Sequence, residues 1–147
     1  MAPDELAKLQ PDMVIGKDYL GGLTAGVISN TQIAESPFQV FLRFKGVGGL
    51  QRVGSTEPEP PQSAWRLAEV ELYYKTADRR ADDACYRVAE ILLGKYGKPT
   101  KQESGKYGDM RLWVFPTTTI RQFTFNALNT ECHVKYTPTK TSDADKL

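Results

Sequence analysis

Histidine is almost missing from this chain: among 147 residues there is one, His133, and there are only two cysteines, Cys85 and Cys132. A structural zinc site draws on such ligands in closely spaced pairs, and with neither a CxxC nor a histidine cluster no metal centre is expected. An excess of charge of one sign is lacking too. Nineteen Lys and Arg stand against 18 Asp and Glu, a formal net charge of +1, so no global field draws the chain to nucleic acid or to an anionic membrane. No apolar run approaches the roughly 20 residues that a membrane-spanning helix needs. The opening MAPDELAKLQPDM lacks the basic, apolar and small-residue regions of a signal peptide. The expected location is periplasmic or secreted if a leader has been removed, and otherwise cytoplasmic.

Phosphate-binding loops are also missing. Gly97-Lys98 is followed by Pro99, and Gly105-Lys106 by Tyr107 with Thr100 where a Walker motif needs its first glycine. Gly46-Val47-Gly48-Gly49 lacks the third glycine of a dinucleotide fingerprint. No cofactor is expected, and no signature in the chain is specific to a family.

What is present is a strong pattern between Asp78 and Tyr136. Ala81, Ala84, Cys85, Val88, Ile91, Leu92 and Tyr96 recur at the three-and-four spacing of one helix face. Asp78 fits an N-cap, Asp82 and Asp83 suit the positive end of the helix dipole, and Gly97 with Pro99 is a stop signal. Three strand-like runs follow, Asp109 to Phe115, Thr119 to Phe125 and Glu131 to Tyr136. With Phe115 opposite Ile120 and Phe125 opposite Cys132, one sheet face collects Met110, Leu112, Val114, Phe123, Phe125, Cys132, Val134 and Tyr136, with Arg121 as the only charge. The helix is expected to lie on that face. The other face then carries Arg111, Trp113, Phe115, Ile120, Gln122, Thr124, Glu131, His133 and Lys135.

Upstream, Phe38 to Lys45 alternates cleanly, with Phe38, Val40, Leu42 and Phe44 on one side. Trp65 to Thr76 alternates as well, with Val70, Leu72 and Tyr74 inward and Glu69, Glu71 and Tyr73 outward. Val27, Ile28 and Leu23 suggest a short strand in a glycine-rich stretch without clear periodicity. Gly46 to Ala64 reads as a loop, with Pro58, Pro60 and Pro61 favouring extended chain, and Thr100 to Gly108 has room for another short strand. These elements define an α+β fold: one long helix packed on one face of a mainly antiparallel sheet that ends in a three-stranded meander. The expected organisation is a lead-in over residues 1–12, flexible or briefly helical, a single domain over 13–138 and a polar tail over 139–147.

The candidate chemistry is sparse. Cys85 and Cys132 both fall on the expected core side, where they form either a disulfide or two buried free thiols. His133 neighbours Cys132, but consecutive strand residues point to opposite faces, so a thiol-imidazole dyad is not expected and His133 is read as solvated. Glu69 and Glu71 share a strand face and are read as exposed. Arg111, Trp113, Phe115 and Ile120 place aromatic and apolar surface beside positive charge, a composition enriched at interfaces; they are either a minor core or a patch for a protein partner or self-association. The resulting expectation is a small non-catalytic binding or structural protein of an exported bacterial kind, acting through protein contacts. An intracellular nucleic-acid or ligand-binding module comes next, although nucleic acid is disfavoured by charge, and an enzyme comes third.

Overall fold

The computed structural model describes residues 3–17, 24–45, 66–76, 83–126 and 129–140. Their elements run α1 (Pro3–Leu9), β1 (Val14–Lys17), β2 (Thr24–Ile33), β3 (Ser36–Lys45), β4 (Arg66–Thr76), α2 (Asp83–Tyr96), β5 (Lys101–Gly105), β6 (Gly108–Val114), β7 (Thr118–Asn126) and β8 (Thr130–Pro138). The strands form one antiparallel sheet in the order β1-β2-β3-β4-β8-β7-β6-β5. It consists of two four-stranded meanders joined where β4 pairs with β8, and α2 carries the chain from the seam to the far edge. The α+β class, the long helix and the closing meander are as the periodicity predicts. The proposed N-cap Asp78, with Asp82 and Ala81 after it, Leu23, Trp65, the proline-rich loop and most of the tail lie outside the described residues.

α2 buries Ala84, Cys85, Val88, Ala89 and Leu92. Ile91 does not belong to this stripe and is 51% exposed, because at 100° per residue it stands about a quarter-turn from the stripe's centre. The helix ends where expected: Gly97 takes the left-handed conformation (φ 73°) and its N–H donates to the Leu93 carbonyl at 2.8 Å. Beneath the helix lie Phe38, Trp113, Ile120, Cys132 and Val134. Each aliphatic side chain sealed in this way contributes roughly 1.5–3 kcal/mol. A second cluster on the same side of the sheet brings Leu6 of α1 against Met13, Val40, Leu42 and Phe44, so the short helical lead-in packs on the first meander. Leu72 touches both clusters and makes them continuous.

The expected register needs correction. Trp113, not Phe115, lies opposite Ile120, and Phe125 lies opposite Glu131, not Cys132. The first difference is two residues and preserves the faces; the second is one residue and inverts them. Its cause is the length of the connections. β6 and β7 are joined through the two residues Pro116 and Thr117, with the Phe115 N–H donating to the Thr118 carbonyl, whereas three residues separate the pair Asn126 and Thr130. An odd connection reverses the parity that the six-residue span assumed from sequence would have kept. Arg111, Trp113, Phe115 and Ile120 therefore face α2 together with Cys132, Val134 and Tyr136, while Met110, Leu112, Val114, Phe123 and Phe125 face the other way.

The N-terminal strands also exceed expectation. The stretch read as one short strand is part of the ten-residue β2, paired on both sides, and a β1 precedes it. The proposed strand between helix and meander is β5, joined to β6 by a tight turn at Lys106 and Tyr107. Gly108 after that turn has no substitute: a Cβ there would sit 1.7 Å from the Thr124 carbonyl oxygen.

Candidate functional site

The four residues proposed as an interaction patch are in the main core or at its edge. Trp113 is 1% exposed and its indole N–H donates to the Gly97 carbonyl at 2.9 Å, tying β6 to the end of α2. Ile120 is also buried, Phe115 packs beside them against Tyr96, and Arg111 reaches Gln122 Oε1 with Nη1 at 3.3 Å. The aromatic and apolar character that suggested a partner belongs to the underside of α2. Cys85 and Cys132 meet across the same interface, with Cα atoms 5.6 Å apart and sulfurs at disulfide distance. They connect the first turn of α2 to β8.

The opposite, outer face carries the arrangement that sequence reading did not assemble. Along the β4–β8 seam the register sets Glu71 opposite Lys135, Tyr73 opposite His133 and Lys75 opposite Glu131, while β3 adds Arg43 opposite Glu69. Arg43 Nη1 donates to Glu69 Oε1 and Glu71 Oε2, both at 2.5 Å. His133 Nδ1 is 2.6 Å from Glu71 Oε1, its Nε2 faces Glu131 Oε2 at 3.7 Å, and Glu131 is paired with Lys75 at 2.9 Å. Lys135 stands 3.7 Å from both Glu69 and Glu71. Glu71, read from sequence as exposed, is 4% exposed; His133, read as solvated, is the bridge between two carboxylates. The outer side assigned to Glu69, Glu71, Tyr73 and His133 was nonetheless correct.

Burial alone would raise the pKa of Glu71. The hydrogen bonds from His133 and Arg43, with the charges of Arg43 and Lys135, outweigh that and hold it down to about 2. Glu131 is also held below the ordinary carboxylate range, first by the hydrogen bond from Lys75. Tyr73, whose ring lies 4.8 Å from that of His133, is pushed up by burial and then by the neighbouring Glu131. Glu71 and Glu131 are thus held in the ionised form, and each carboxylate of the network already has a cationic or imidazole partner. Cys132, beside His133 in sequence, points to the helix side, so no thiol-imidazole dyad forms there.

Around this charged seam lie apolar groups that the sequence-based register had placed in the core. Phe123 and Phe125 stack at 6.1 Å with ring planes 10° apart, Arg121 lies over Phe123, and Phe125 is 47% exposed. With Tyr107 and Met110 they line a shallow groove of about 420 Å³ beside the β5–β6 turn. Phe41 extends the aromatic surface on β3, with the Arg43 guanidinium 5.4 Å from its ring centre. Pairing of the strands in the inverted register is the only signal that would have found this face. Among the described residues no set of His, Cys, Asp and Glu is arranged to hold a metal ion, and no helix is long and apolar enough to cross a membrane.

In comparisons with protein-family models, with curated proteins and with solved structures, the chain matches none of them.

Proposed function

We propose that this is a small non-catalytic binding protein that acts through protein contacts made by the outer face of its sheet, and that it works in an oxidising, exported compartment. One observation carries the first part: Met110, Leu112, Phe123, Phe125 and Phe41 are presented on the side away from both helices, around an internally neutralised network of charges. Aromatic surface next to fixed charge is the composition of binding hot spots, and a side chain already held in place loses little entropy when a partner arrives. The sulfurs of Cys85 and Cys132 at disulfide distance support the second part, since such pairs persist where thiols are not kept reduced.

The test is a paired capture experiment. Wild type and the Phe123→Ser/Phe125→Ser variant, shown to melt alike, are immobilised and challenged with extract of the source cells. A protein retained by wild type and lost by the variant supports the reading; equal retention, or none by either, overturns it. The second reading, a module that stacks single-stranded nucleic acid on the same aromatics, draws on Arg121 and Lys135 beside them. It requires oligonucleotide affinity that falls steeply with salt, and absence of binding at low salt removes it. Thiol titration under non-reducing, denaturing conditions checks the compartment: no reactive thiol is expected, and two would contradict it.

A further inference from the structure

We propose that the free edge of β5 pairs with β5 of a second copy of this chain, in antiparallel register about a twofold axis through Gln102. This edge borders the outer face, since Lys101 and Glu103 fall on that side opposite Leu112 and Met110, and Glu103 lines the groove beside Phe123 and Phe125. The pairing, however, uses the strand's backbone and its own charges and stands without the binding function assigned to the aromatics. Among the described residues β5 is the last strand of the sheet and pairs on one side only, and all five of its residues are exposed. An unpaired edge presents a row of backbone donors and acceptors to any strand that fits it, and proteins commonly block such edges with charge.

The charges on this edge are not of one kind. Lys101 and Glu103, two residues apart and therefore on the same side of the sheet, form an ion pair at 2.6 Å within the strand. Opposite charges at this spacing are self-complementary when the strand meets its own copy in reverse. With the axis through Gln102, Lys101 comes opposite the second copy's Glu103, and Glu103 opposite its Lys101, giving two cross-strand pairs. With the axis one residue along, Glu103 would oppose itself. The charge pattern thus accepts one register and rejects its neighbour, which is how an edge gains specificity along with the means to associate. The assembled sheet continues through the new seam and sets the two outer faces side by side. In this register three residues of each strand, Lys101, Gln102 and Glu103, pair with their counterparts, a small contact, so the association is reversible and depends on concentration and salt.

Sedimentation equilibrium on the full chain over a concentration series tests this. Wild type is expected to dimerise reversibly. Lys101→Glu or Glu103→Lys alone sets like charges opposite each other twice and weakens the dimer about tenfold or more. The double variant Lys101→Glu/Glu103→Lys restores it, and mixing the two single variants yields a heterodimer stronger than either homodimer. Phe123→Ser/Phe125→Ser, which removes the aromatic part of the outer face and keeps Lys101 and Glu103 in place, leaves dimerisation unchanged. A wild type that is monomeric at every concentration overturns the proposal, as do single variants that associate like wild type or a dimer lost only with the phenylalanine pair.

Discussion

The two faces of the sheet are built from the same strands and solve opposite problems. On the helix side, Trp113, Ile120, Cys132 and Val134 are sealed beneath α2, and a strongly polar pair there, Arg111 with Gln122, satisfies itself in part by a cross-strand hydrogen bond. On the outer side, apolar groups remain half in water while the most buried residue is a charged one, Glu71. Hydrophobicity therefore does not mark the inside of this protein. Coverage on the helix side does, and in the closing meander the odd connection between β7 and β8 decides which residues α2 covers.

The sharpest way to break this comparison is to remove one large side chain from each face. Trp113→Ala should destabilise by about 3–5 kcal/mol, since it leaves a cavity under α2 and strips the Gly97 carbonyl of its partner. Phe123→Ala, on the open face, should cost about 1 kcal/mol or less. Urea unfolding of both variants reads the difference directly; equal losses would mean that the faces are not distinct. Next in size is the Cys85–Cys132 link. It closes a loop of 47 residues, so reduction should remove about 2–4 kcal/mol, and the Cys85→Ser/Cys132→Ser variant should lose a similar amount and become indifferent to reductant.

How much of this was legible in the sequence follows from the same contrast. The repeat of apolar residues in α2, the Gly97 stop and the alternation of β3 and β4 are local signals, and each leads to the observed element. Cys85 and Cys132 could be placed on facing surfaces because the helix stripe and the helix side of β8 were both read correctly. The faces of β6 and β7 were inverted relative to β8 because Met110, Leu112, Phe123 and Phe125 look like a core, and nothing local reports whether the turn before Thr130 is odd or even. Glu71 was misread for a different reason. Its burial depends on Arg43 and His133, 28 and 62 residues away in sequence, and the alternation of β4 by itself reports only that Glu71 points outward.

The outer network makes the third prediction. Glu71 ionises near 2 in the fold against an ordinary 4.5. A carboxyl whose pKa is depressed by folding stabilises the protein fully above its unfolded value, and that contribution disappears as pH falls from 4.5 towards 2. The amount is on the order of 2–3 kcal/mol. Glu71→Gln should cost about 1–3 kcal/mol at neutral pH through the weakened partners of Arg43 and His133. It should also flatten this part of the acid profile. Unfolding midpoints of both proteins at pH 6 and pH 3 measure it, and an unchanged acid slope in the variant would place the acid-sensitive group elsewhere.

The smallest expected effect tests whether the two faces are independent. The hairpin between β2 and β3 turns on Ala34 and Glu35, at φ 50° and 64°, a left-handed pair that a two-residue turn favours but that alanine and glutamate enter at a cost of roughly 1 kcal/mol each. The Ala34→Asn/Glu35→Gly variant supplies residues suited to that geometry. It gives up the contact of the Ala34 methyl with the edge of the helix-side core and the 3.6 Å approach to Arg87 of Glu35, whose side chain is nearly all in solvent, and keeps the hydrogen bond from Arg87 to the Ser36 hydroxyl. A gain of about 1 kcal/mol, or about 4 °C in Tm, is expected. Because this turn contacts α2 and shares no partner with Glu71, combining it with Glu71→Gln should give the sum of the separate changes within about 0.5 kcal/mol. A larger departure from additivity would show that the helix-covered and open faces respond as one body.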